Sequence, residues 1–350
     1  MKDSSFIFSF KKACRQIIVC ILVVAIIAIC FLRYCDMATP MRGSMYAFYH
    51  FMEKDTLDVL CVGSSHVYCG VNPVQMYEDY GIAAYDLAAG SQSIAFSYYY
   101  LEEAFKTQHP KLVILDTYMM IAEDEQEKEN AQMNLYNMKP SLTKYRALQM
   151  IDGLDNMGDI FWFFPIVHDN YANINEVSYD FKEEYMGLYL GYEYRGTIEP
   201  YDLSMIEDVR FVTEVGSVSE KKENYLRKCI ELCRKNNVEI VLTNIPWPDI
   251  SVETQKVYNL VQQIADEYGV EFINGCLYTE EIGLDYTVDS SGDSGHLNYT
   301  GATKYTKWLT EHLISEGYDL PDRRGDDRYG YWQRESERFT FLLEQILQLM

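Results

Sequence analysis

The sequence predicts a doubly wound α/β domain. About five parallel strands form the middle of a three-layer α/β/α arrangement, carried behind an N-terminal transmembrane helix and interrupted by a mid-chain insertion. Three observations predict it. Short apolar runs alternate with amphipathic stretches, as buried parallel strands alternate with covering helices. An uncharged apolar run occupies residues 16–32. Residues 121–219 then break the alternation, and so long a stretch inside a compact domain needs structure of its own.

The run at 16–32 reads QIIVCILVVAIIAICFL. As a helix it spans roughly 26 Å, a little less than a bilayer core of about 30 Å. Lys2, Lys11, Lys12 and Arg15 precede it and only Arg33 follows closely. The positive-inside rule therefore puts residues 1–35 down as a cytoplasmic tail and signal anchor, with the rest of the chain outside. No A-x-A cleavage site follows the run, which argues against a removed signal peptide. Residues 36–56 read as a linker.

From 57 to 320 the elements follow in order. Leu57 to Val62 is a first buried strand, stopped by Gly63. Asn72-Pro73 caps and starts a helix that Gly81 closes. Ile82 to Leu87 is the second strand, Ile94 to Thr107 a helix, and Lys111 to Leu115 the third strand. After the insertion come a helix over 220–236, a strand over 239–243, a helix over 252–268, a strand over 270–273 and a helix over 301–315. Five strands so arranged suggest a flavodoxin-like order. The Tyr/Gly run at 185–192 is expected to be a core hairpin, with a sugar platform as the rival. The aromatic patch at 161–165 belongs to the same insertion. Residues 321–350 read as a polar linker and a C-terminal helix, expected to pack back on the domain or to dock on a membrane partner.

Composition narrows the function. Of the 30 Lys/Arg and 53 Asp/Glu, five and one fall in residues 1–35, leaving 25 and 52 for the remainder. So acidic a domain is a poor partner for phosphate backbones, and nucleic acid is not expected as a ligand. Cys229 and Cys233 lie one helical turn apart with no second pair to complete a zinc site, and read as buried or free thiols. The acidic turn Asp285, Asp289, Asp293 lacks calcium-loop spacing, so neither a metal nor a cofactor is expected.

Two segments carry chemistry. Gly63-Ser64-Ser65-His66 follows the first strand, and Asp293-Ser294-Gly295-His296-Leu297-Asn298 precedes the last helix. In an open α/β sheet both fall beyond the carboxyl ends of the strands, where ligands bind. A serine hydroxyl needs an imidazole to take its proton, and the imidazole needs a carboxylate to fix its tautomer. Ser65, His296 and Asp293 meet those needs. His66 is expected to hydrogen-bond to its loop, and Trp247 after the fourth strand either lines the cleft or packs.

These segments resemble the SGNH (GDSL-type) hydrolase superfamily. Gly63-Ser64-Ser65 is similar to its first block, with Ser65 as nucleophile, and Asp293-x-x-His296 to its last. Asp86 to Ser93 resembles its second block, in which a glycine N–H, here that of Gly90, serves the oxyanion hole. With the anchor and the HLN-x-x-G ending at His296 to Gly301, the likeness extends to membrane-anchored members that handle acyl groups at the cell surface, the teichoic-acid D-alanylation and alginate-acetylation proteins. The resemblance implies an extracytoplasmic serine esterase or O-acyltransferase. Its substrate would be an acylated cell-envelope glycan, and its partner a membrane-bound acyltransferase or acyl exporter. The third block departs: its oxyanion Asn is absent, and the strand ends Leu115-Asp116-Thr117-Tyr118. Tyr118, Ser91 and Gln92 are the replacement donors that the sequence leaves open. The same departure is what a catalytically silent glycan-binding or scaffold protein would show.

Overall fold

The structure, a computed structural model, describes residues 3–37, 44–122, 126–135, 138–139, 141–151, 188–292 and 295–349. The aromatic patch at 161–165 and Asp293 lie outside the described residues.

The first helix, α1 (Asp3–Met37), is longer than the apolar run alone. Its window Lys11–Phe31 has a mean hydropathy of 2.7, with none of it buried. At 21 residues the window spans about 31 Å, enough to cross a membrane by length and composition.

From Ser44 on, the described chain is built on one parallel five-stranded sheet in the order β2-β1-β3-β4-β5. The strands are β1 (Val59–Gly63), β2 (Ala84–Ala88), β3 (Leu112–Asp116), β4 (Glu239–Asn244) and β5 (Glu271–Asn274). Register runs Val59 to Ala84 and to Leu112, Leu112 to Glu239, and Val241 to Glu271. The direction in which successive strands are added reverses between β1 and β3, the switch point at which open sheets bind ligands.

Most covering helices start where a short polar side chain takes up the orphan N–H groups. Between Gly63 and β2 lie α3 (Ser65–Gly70) and α4 (Pro73–Tyr80); Asn72 caps α4 and Gly81, at φ 75°, ends it. Next come α5 (Ile94–Ala104) on Ser93, then α6 (Gln126–Leu135), and α7 (Leu142–Met150) on Ser141. Beyond the insertion follow α8 (Glu220–Lys235) on Ser219, α9 (Val252–Tyr268) on Ser251 and α10 (Tyr299–Ser315) on Asn298. Side chains of α3, α4 and α10 share one core with Val59, Cys61, Ala84, Ile114, Val241 and Ile273, so these helices cover one face of the sheet.

Three expectations are corrected. The stretch read as linker holds α2 (Ser44–Phe51), whose Met45, Phe48 and Tyr49 are buried and whose Phe48 ring packs on Tyr85 of β2. The described part of the Tyr/Gly run is a tight 3-10 turn, Leu188–Gly191, and no hairpin; it is core all the same, with Leu190 and Tyr192 buried. The polar segment after Leu320 is pinned, because the Arg323 guanidinium makes a two-pronged pair with buried Asp58 at 2.6 and 2.9 Å. The last helix, α11 (Gly330–Leu349), packs back on the domain, against α4 and the 188–191 turn. Its Trp332 is fully buried and donates to the Ala84 carbonyl at 2.8 Å.

Candidate functional site

Gly63 ends β1 and Ser64 stays extended (φ −84°, ψ −163°), so the chain turns sharply and Ser65 becomes the first residue of α3. The glycine is dictated by what lies behind it: a Cβ there would stand 2.6 Å from the Asp116 Cβ. This turn sends the two serines in different directions. Ser64 is buried and its hydroxyl donates down to Asp116 Oδ2 at 3.4 Å. Ser65 faces His296, with Oγ and Nε2 2.7 Å apart although the residues are 231 positions apart in sequence.

The histidine loop is built as firmly. The His296 carbonyl accepts from the Ser291 N–H and hydroxyl at 2.9 and 3.1 Å, and Leu297 bridges to Ser290. Asn298 donates its amide to the Val288 and Ser290 carbonyls and accepts the Gly301 N–H, capping α10. A Cβ on Gly301 would stand 2.5 Å from the Asp289 carbonyl oxygen, so that glycine lets the loop close on the helix. The HLN-x-x-G ending is thus one unit: histidine presented, leucine buried, asparagine capping, glycine permitting contact. Asp289 holds the loop rather than the imidazole, because its carboxylate takes up Lys304, the Thr300 hydroxyl and the Asp285 N–H.

The end of the insertion laces the two halves together. Glu193 N–H donates to the Tyr68 carbonyl on α3, and Glu199 and Tyr201 donate to Ser290 and Tyr286 of the histidine loop.

Around the Ser65–His296 pair the rings form a wall. His66 stacks on Tyr118 with centroids 3.7 Å apart and lies 4.5 Å from the His296 ring. Trp247 meets both Tyr118 and His66 edge-on, at 5.2 and 6.1 Å. Beyond Trp247 opens a groove of about 850 Å³ with an acidic rim of Glu207, Asp208, Glu280 and Glu281.

Asp116 lies beneath the site. It accepts hydrogen bonds from Ser64, from the Tyr118 N–H and from the Ile245 N–H, joining the loops that follow β1, β3 and β4. Burial outweighs these donors and pushes its carboxyl up to about 7.

Neither a family model nor a curated protein matches this sequence.

The other sequence candidates divide. Gly90 follows β2 at the site, its carbonyl held by the Asn134 amide at 3.1 Å. Ser91 takes a left-handed φ of 50° in the same turn. Gln92 is turned away: its amide donates to the Ser97 hydroxyl of α5 at 3.0 Å. Tyr118 contributes its ring face to His66. Sequence reading missed Asn134 and Tyr68. The signal for Tyr68 was its place three residues after Ser65, which puts both on one face of a helix.

Proposed function

We propose that this chain is a membrane-anchored, extracytoplasmic serine esterase or O-acyltransferase of the SGNH type, acting on acyl groups of a cell-envelope glycan. The observation that carries this reading is the 2.7 Å contact between Ser65 Oγ and His296 Nε2 at the carboxyl edge of a parallel sheet. Ser65 Oγ attacks the acyl carbonyl carbon and its proton passes to His296 Nε2. Backbone N–H groups at Ser65 and Gly90 receive the oxyanion. The ester C–O bond then breaks, and His296 returns the proton to the departing oxygen. Water, or a sugar hydroxyl, attacks the acyl-Ser65 ester by the same route in reverse. Asp293, by the resemblance, steadies the imidazolium.

The test is hydrolysis of a small acetyl ester together with covalent labelling by a fluorophosphonate. Ser65→Ala should abolish both, and Ser64→Ala should retain labelling, because its hydroxyl serves Asp116. Labelling lost in Ser64→Ala and kept in Ser65→Ala would refute the assignment. A second reading, a silent glycan-binding or scaffold protein, is favoured by the carboxylate of Asp116 at the strand end where the family carries its third block. It predicts no turnover and no labelling in the unmodified protein.

A further inference from the structure

The unfilled role in that mechanism is a side-chain donor for the oxyanion. Of the residues that the sequence offered, Gln92 is committed to Ser97 and the Tyr118 ring lies flat on His66. A different hydroxyl stands at the right place. Tyr68 lies one turn along α3 from Ser65, three residues on and so on the same face of the helix. The Tyr68 hydroxyl oxygen lies 3.8 Å from where a Cβ on Gly90 would be. The helix that carries the nucleophile thus places a hydroxyl beside the loop assigned to the oxyanion. The backbone of Tyr68 is fixed from outside, since its carbonyl accepts the Glu193 N–H at 2.7 Å.

We propose that Tyr68 is a catalytic residue: its phenol donates a hydrogen bond to the oxyanion, in the role that the absent third-block asparagine would fill. This inference rests on the esterase or acyltransferase reading. The Ser65 proton is directed at His296, so the Tyr68 phenol keeps its own proton free to donate. When the tetrahedral adduct forms, the oxyanion is bonded to the same carbon as Oγ and faces the Gly90 loop, and rotation about the phenolic C–O bond turns the donor to the new charge. No proton is transferred in this step and the phenol keeps its own. Burial raises the Tyr68 pKa, which keeps the group a donor across the working range. The interaction strengthens as charge develops and so accelerates the reaction rather than merely tightening binding.

The experiment compares full-length wild type and Tyr68→Phe in detergent, with 4-nitrophenyl acetate as substrate. Loss of one oxyanion donor costs on the order of 10²–10³-fold in kcat. Tyr68→Phe should show that loss with KM within about twofold, since only the transition state is affected. A trifluoromethyl ketone, which forms an oxyanion adduct with serine, should inhibit the variant about 100-fold less well. The corresponding alcohol, which forms none, should bind both proteins alike. Wild-type kcat in Tyr68→Phe overturns the proposal and leaves the Ser65–His296 reading standing. Equal weakening of ketone and alcohol also overturns it, by showing that Tyr68 only shapes the pocket. If wild type neither turns over nor labels at Ser65, the reading itself fails and this inference falls with it.

Discussion

Replacing Asp116 by Asn tests whether the buried carboxyl beneath the site holds its proton to near neutrality. In the folded protein burial raises its pKa from the ordinary 3.8 to about 7, despite the hydrogen bonds from Ser64, Tyr118 and Ile245. The unfolded chain releases that proton near 3.8, so the folded state binds it more tightly. The stabilisation is present in full below about pH 4 and is lost progressively as pH rises to about 7, beyond which it is flat. Three decades of proton affinity correspond to roughly 4 kcal/mol. Asn has the shape of the neutral carboxyl and does not titrate. The stability difference, wild type minus Asp116→Asn, should therefore fall by up to roughly 4 kcal/mol between pH 4 and pH 8. Urea unfolding of both proteins at half-unit pH steps, followed by tryptophan fluorescence, measures it. Taking the difference cancels the other carboxyls, including buried Asp86, whose pKa burial also raises. Curves that stay parallel from pH 4 to 8 would refute the reasoning. A difference that rises with pH would show a carboxyl held in its charged form instead.

Other expectations follow from the same geometry. Arg323→Met leaves buried Asp58 without its two-pronged partner and should cost about 3 kcal/mol in urea unfolding, most of it recovered by adding Asp58→Asn. Asn298→Ala removes a helix cap and two bonds to loop carbonyls; a loss of about 2–3 kcal/mol should accompany a fall in kcat, because the His296 loop is no longer tied to α10. Alkaline phosphatase fused after Met350 should be active outside the cytoplasmic membrane, as the Lys2, Lys11, Lys12 and Arg15 asymmetry demands, and activity only inside would reverse the proposed orientation.

The sheet was legible in the sequence because parallel strands buried on both faces leave a plain trace: Leu57 to Gly63 and Lys111 to Asp116 are apolar nearly throughout and end in residues that cannot continue them. The Ser65–His296 encounter was legible because topology alone brings the carboxyl ends of strands to one edge. Less was visible where tertiary contact decides. Ser44–Phe51 has no apolar-polar period, and its aromatic side chains become a helix face only against β2. Helix α10 starts at Tyr299, two residues before the expected Gly301, because Asn298 reaches forward to cap it. Gln92 looked like a donor until Ser97, five residues on, claimed its amide. Tyr68 gave a spacing and no more, since its nearness to Gly90 is created by the fold.

The cover over β2 carries a consequence for association. A strand at the edge of a sheet exposes a row of carbonyl and N–H groups that invites another strand to pair with it, and soluble proteins guard against this. On β2 the Trp332 indole occupies the Ala84 carbonyl, and the backbone at Gly191 lies so close to the Asp86 carbonyl that a Cβ would stand 2.3 Å from it. Sheet extension is thereby closed on that side. A partner on that side has to meet side chains instead of a strand edge. Loss of the C-terminal helix would uncover the Ala84 carbonyl and turn a guarded edge into a seed for self-aggregation.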